Sequence, residues 1–227
     1  MKLTVLGKYG PFPPAGGATS GYLLRHGDTA IALDLGSGTL ARLQQHIPLS
    51  ALDAVVLSHL HLDHIGDLLP LVYALGDKTL NLYLPMFDSP QYDLIASFDC
   101  FHLIPIFDRR EIRVKDVGMT FYQMQHPVES YGVCVEGGGR KLFYSGDTVF
   151  HDKLISCAAS SDLLLLDCAQ PSDCKGAPHM TLSEGALIAR TTNKRTLATH
   201  VHPLHSPYAE AKTLGLEVAE EGATYSV

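Results

Sequence analysis

Residues 55–67 read V-V-L-S-H-L-H-L-D-H-I-G-D, and no other stretch constrains the chain as strongly. Three histidines and an aspartate fall within six positions: His59, His61, Asp63 and His64. Val55, Val56 and Leu57 ahead of them have the character of a buried strand, and from Ile65 the apolar residues recur at helical spacing. The donors therefore stand where a strand turns into a helix. On an extended chain His59 and His61 point to the same side, with Asp63 and His64 on the tight turn behind them. Neutral imidazole and carboxylate suit zinc, manganese or iron. Four such donors exceed what one open catalytic ion takes from a single segment, which points to two ions. The density of the cluster argues against a chance gathering of surface histidines near a helix start.

With 227 residues the chain is long enough to bury a sizeable core, and residues 1–227 are expected to form one domain. Met1-Lys2 runs straight into Leu3-Thr4-Val5-Leu6, too short and strand-like for a signal peptide. No apolar run reaches membrane-spanning length, so the expected location is the cytoplasm, with no membrane partner. Five irregularly spaced cysteines fit reduced structural thiols better than a disulfide framework. A net charge of −7 without a basic stripe argues against long nucleic acid as a partner. Small anionic substrates stay open, because bound cations would offset that charge locally. Twelve histidines again point to metal chemistry.

Along the chain, residues 3–6 predict a first strand, followed by a Gly- and Pro-rich loop over 8–21 that is either a plain surface connection or a rim of the site. A hairpin is expected around His26-Gly27-Asp28, then Asp34 and a short helix carrying Leu40, Leu43 and Ile47. A strand over 54–58 delivers the central cluster, and a helix carrying Leu68 to Leu75 follows, with Pro70 tolerated near its first turn. Residues 80–84 and 119–125 predict strands, with a helix near 92–98 between them. The aromatic stretch 98–107 is core, a site wall or a homodimer contact, with core the default. Residues 131–135 and 141–145 pair across Glu136-Gly137-Gly138-Gly139. Further on come a short helix over 152–157, a strand over 163–166 ending at Asp167, and a helix starting at Thr181 with Glu184 in a capping box. A strand over 195–199, a helix over 208–216 and a closing strand over 223–227 complete the chain. Four of these strands lead into a metal-type donor: His59, His126, Asp147 and His200. In layered α/β folds site residues collect on the loops leaving the strands, so the four are expected to share one site.

These residues carry a resemblance. His59-Leu60-His61-Leu62-Asp63-His64 matches the H-x-H-x-D-H signature of the metallo-β-lactamase superfamily. His126, Asp147 in Ser-Gly-Asp-Thr and His200 in Leu-Ala-Thr-His resemble its later motifs in order, and Asp34 its first. The resemblance implies an α/β fold, a four-layer αββα sandwich of two mixed β-sheets flanked by helices. It implies one ion on His59, His61 and His126 and a second on Asp63, His64 and His200, with Asp147 and a hydroxide bridging them. Zinc is the first expectation, manganese or iron the alternatives. Two such cations about 3.5–4 Å apart acidify a shared water and clamp the attacked and leaving oxygens. His202, two residues beyond His200, is a competing ligand.

The branch is narrowed further. True β-lactamases of this superfamily carry cysteine where Asp147 stands. The context Met124-Gln125-His126-Pro127-Val128-Glu129-Ser130 resembles the ribonuclease Z and phosphodiesterase branch, not glyoxalase-II-like thioesterases. His179-Met180-Thr181 resembles the position at which ribonuclease Z-like enzymes keep a histidine that protonates the leaving oxygen. It makes His179 a candidate general acid, held by Asp167 or Glu184, beside the catalytic carboxylates Asp63 and Asp147. Only residues 127–146 separate the third ligand from Gly-Asp-Thr, leaving no room for the long tRNA-gripping arm of ribonuclease Z. The expected activity is hydrolysis of a small phosphodiester. Hydrolysis of a carboxylic ester, thioester or lactone is the alternative, tRNA 3′-processing a weaker one, and metal sensing without catalysis the last.

Overall fold

The computed structural model describes all 227 residues. Its organisation follows from strands that are apolar on both faces. In β3 (Thr29–Leu35) every residue is buried: Ile31 and Leu33 point into one core, Ala30, Ala32 and Leu35 into another. In β11 (Leu163–Asp167) Leu163 and Leu165 join the same inner core, while Leu164 and Leu166 face a third. Strands buried on both sides need a layer on each side. The result is the expected αββα sandwich. The inner core lies between two sheets, and the outer cores lie under helices.

The first sheet has the order β14-β1-β2-β3-β4-β5-β6, where β1 is Lys2–Gly7, β2 Gly21–His26, β4 Ala54–Val56, β5 Leu80–Pro85, β6 Phe101–Ile106 and β14 Thr224–Ser226. The second has the order β13-β12-β11-β10-β9-β8-β7, where β7 is Glu111–Val114, β8 Val117–Gln123, β9 Tyr131–Gly137, β10 Arg140–Tyr144, β12 Arg195–Thr199 and β13 Glu217–Val218. Each sheet is antiparallel on one side and parallel on the other. Parallel neighbours need crossovers. Helices α1 (Thr39–Leu43), α2 (Leu62–Ile65), α3 (Leu68–Leu75) and α4 (Pro90–Ala96) supply them in the first sheet, and α5 (Asp152–Ala159), α6 (Leu182–Thr192) and α7 (Tyr208–Leu214) in the second. No helix is long and apolar enough to cross a membrane.

Several boundaries differ from the sequence expectation. The helix expected near residues 92–98 is α4, started earlier by the Ser89 cap and Pro90. The hairpin turn between β9 and β10 is only Gly138-Gly139, both at positive φ, since a two-residue turn of that twist demands it. The stretch 98–107 is mostly strand β6, with Phe101 and Ile106 buried and Phe107 exposed. The capping box at α6 forms as expected, Thr181 Oγ1 accepting from Glu184 N at 3.3 Å and Glu184 Oε2 accepting from Thr181 N at 2.8 Å. Thr181→Ala should cost about 1 kcal/mol, measurable as a lower urea midpoint with an unchanged slope.

Candidate metal centre

The donors gather where strands of both sheets end. His59, His126 and Asp147 each lie three residues past the end of β4, β8 and β10, and His200 directly follows β12. The short links let the chain turn over the sheet edge before presenting its side chain. Ligand atoms of His59, His61, His126 and Asp147 lie within 4.8 Å of one another, as do those of Asp63, His64 and His200. Asp147 joins the groups: its Oδ2 is 3.5 Å from His59 Nε2 and 3.3 Å from both His64 Nε2 and His200 Nε2. Asp63 Oδ2 lies 3.6 Å from His64 Nε2 and 3.8 Å from His200 Nε2.

The imidazoles are aimed by their far nitrogens. His59 Nδ1 meets Ser58 Oγ at 3.0 Å, His64 Nδ1 donates to Asp34 Oδ2 at 2.7 Å, and His126 Nδ1 donates to the Pro178 carbonyl at 3.1 Å. His200 Nδ1 meets Ser20 Oγ at 2.9 Å. Each of these contacts turns Nε2 inward, the arrangement by which proteins orient metal-binding histidines. Five buried side-chain polar atoms lack a partner, and three belong here: His59 Nε2, His64 Nε2 and Asp147 Oδ1. Buried polar atoms without partners are costly, and divalent cations in the two donor groups would satisfy all three. The protonation pattern fits as well. Burial lowers His59, His61 and His126, and holds His200 down to about 4. Burial alone would raise the Asp147 carboxyl, but His200, His64 and His59 outweigh it and keep it well below the carboxylate range. His64 is the exception, raised well above 6.5 because Asp147 and Asp34 outweigh its burial. Neutral imidazoles around a carboxylate are ready for metal.

His179 stands at the edge of the cluster. Its ring stacks on His200 at 4.9 Å and its Nδ1 donates to Asp167 Oδ2 at 2.9 Å. Of the two holders expected, Asp167 takes the role, because Glu184 is used in the helix cap. Burial would lower His179, but Asp167 and then Asp147 raise it to about 9. His202 does not join the donors: it packs edge-on against Phe12 and lies 5.0 Å from the His205 ring. Asp34 belongs to none of the donor groups, including a third formed by Asp147, His179 and His200, but holds His64.

The Gly- and Pro-rich loop is a wall of the site. Gly10 N donates to the Val201 carbonyl at 3.2 Å, and a Cβ on Gly10 would meet His200 Cε1 at 2.0 Å. Only glycine allows that approach. His200 and Asp34 themselves hold left-handed backbone, at φ 55° and 56°, a strain that clusters at functional sites. Ser20, Ser58, Tyr22, Tyr144 and Thr199 went unrecognised in the sequence, since a hydroxyl that aims another side chain carries no spacing signature.

Residues 30–202 match a family model described as Beta-lactamase superfamily domain. The chain belongs to the metallo-β-lactamase superfamily, a superfamily of metal-dependent hydrolases. It is 34% identical over 212 residues to the probable metallo-hydrolase YhfI of Bacillus subtilis, covering 88% of this chain and 87% of that one. The crystal structure of that protein superposes with a TM-score of 0.91 at 32% identity, covering 99% and 98% of the two chains. Human tRNase Z, short form, shares the fold with a TM-score of 0.80 at 19% identity, over 100% of this chain and 99% of that one. A ribonuclease Z of Methanopyrus kandleri is 28% identical over 140 residues, 60% of this chain and 50% of its own. Gly10→Ala is expected to displace the His200 ring and lower the metal retained after dialysis, read by elemental analysis.

Proposed function

We propose that this protein is a dinuclear metal-dependent phosphodiesterase acting on a small phosphodiester. The observation that carries this is the junction of two donor groups at Asp147, with the His179–Asp167 pair beside it. His59, His61 and His126 would hold one cation and Asp63, His64 and His200 the other, with the Asp147 carboxylate, whose Oδ2 faces both groups, shared between them. Imidazole and carboxylate donors favour zinc, with manganese or iron as substitutes. Bound there, the cations supply an acidified water and an electrophilic clamp on the phosphate. The protein does the rest. Asp167 holds the Nδ1 proton of His179, leaving Nε2 of the same ring to carry a proton to the departing oxygen. A cavity of about 380 Å³ lined by Val149, Phe150, Lys175, Ala177, His179 and Glu184 opens beside it, with room for a small ester group. The hairpin between His126 and Asp147 is too short to add a gripping arm, and a net charge of −7 does not favour a long polyanion. The ribonuclease Z relatives support a phosphoester substrate in kind. Residues 1–227 act as one hydrolase domain, and the unpaired cysteines suit the cytoplasm.

Hydrolysis of bis(p-nitrophenyl) phosphate with Zn²⁺ or Mn²⁺ tests this. Asp147→Ala should abolish turnover, and His179→Ala should lower kcat by about 10²-fold or more with metal content retained. Turnover of thioesters or lactones but of no phosphodiester would reassign the substrate class.

A further inference from the structure

Two tyrosines of the inner core cross between the sheets in opposite directions. Tyr144, on β10 of the second sheet, donates its hydroxyl to Asp34 Oδ2 on β3 of the first, at 2.6 Å. Tyr22, on β2 of the first sheet, places its hydroxyl 2.7 Å from Thr199 Oγ1 on β12 of the second. The rings pack edge-to-face with centroids 5.1 Å apart. Both side chains are buried, and burial keeps both phenols protonated.

Each crossing ends beside the same donor group. Asp34 is fully buried and passes its grip to His64 Nδ1 at 2.7 Å. It also accepts from Ser58 N at 2.7 Å and Ser58 Oγ at 2.9 Å, so the Tyr144 hydroxyl is one of the four donors around this carboxylate. Removing it would leave Asp34 underbonded in a dry core and free to shift with His64. Thr199 directly precedes His200, whose left-handed φ of 55° depends on the residues on either side being held. Val201, on the other side, is held by backbone bonds to Lys8 and Gly10. Neither tyrosine hydroxyl bonds to His59, His61 or His126, and Asp34 reaches that group only at one remove, through Ser58 Oγ to His59 Nδ1.

We propose that Tyr22 and Tyr144 are positioning residues that lock the Asp63–His64–His200 donor group from across the sandwich, Tyr144 through Asp34 and Tyr22 through Thr199. The inference rests on the two-ion assignment above and says which ion depends on the inter-sheet core. Tyr131 is a tyrosine of the same core whose hydroxyl goes to Glu129 instead, and it serves as the control.

The test titrates chelator-stripped full-length protein with Co²⁺ and with Zn²⁺, following stoichiometry, stepwise affinity and the Co²⁺ absorption spectrum. Wild-type protein is expected to take two ions. Tyr144→Phe and Tyr22→Phe should each weaken one of them by about 10- to 100-fold, the cost typical of losing a partner behind a ligand, and disturb the other far less. The remaining spectrum should match that of His64→Ala, not that of His61→Ala, and Tyr131→Phe should titrate as wild type. Thr199→Val, which keeps both rings, should reproduce Tyr22→Phe and serves if that variant does not fold. Two ions bound with unaltered affinity in the tyrosine and threonine variants would overturn the inference alone, as would equal weakening of both ions alongside a lower Tm. Wild-type protein that takes one ion or none would overturn the two-ion assignment, and the inference with it.

Discussion

Asp147 is a buried carboxylate whose ion-pair partners are all imidazoles: His59, His64, His179 and His200. A buried charge must be compensated: His64 and His179, whose protonated forms the neighbouring carboxylates favour, supply part of that, while burial holds His59 and His200 neutral. What stays uncompensated are the unpartnered His59 Nε2, His64 Nε2 and Asp147 Oδ1, which cations among the rings would satisfy. The rest of the site serves this constraint. Nδ1 contacts aim four Nε2 atoms inward, and the loop at Gly10 closes over His200 so tightly that no side chain fits. The protein thus spends stability on a site whose balance a cation restores.

The sandwich makes that convergence geometrically possible. Each sheet changes from antiparallel to parallel pairing at its middle strands, β3 and β10, and these carry or lead into Asp34 and Asp147. Donors from the first sheet come from one segment, residues 59–64, while those from the second come one per strand. Gly146, at φ 58°, lets the link after β10 pass against Ser58, so the two sheets touch where the donors meet. Tyr22 and Tyr144 carry the same contact into the core beneath.

Much of this was legible in the residues. Apolar runs such as Leu163 to Leu166 announced strands covered on both faces, and the turn chemistry at Gly138-Gly139 and the Thr181 cap behaved as residue type demands. The coincidence of His126, Asp147 and His200 with strand ends places them with His59 on the sequence alone. What stayed hidden depends on distance along the chain. Strand β6 carries Pro105, which argues against a strand, and short β7 lies at a sheet edge where pattern is weakest. Tyr144 and Asp34 are 110 positions apart and Tyr22 and Thr199 177 apart, so only the closed sandwich reveals that they meet. His200 and His202 likewise differ only in the folded chain, where His200 lies among the donors and Phe12 packs on the His202 ring.

The central claim is that Asp147 joins two cation sites. The most direct measurement is anomalous diffraction at the zinc edge from crystals grown with Zn²⁺. Two peaks about 3.5–4 Å apart, one among His59, His61 and His126 and one among Asp63, His64 and His200, with Asp147 between them, are predicted. A single peak, or two peaks that do not share Asp147, would contradict the account.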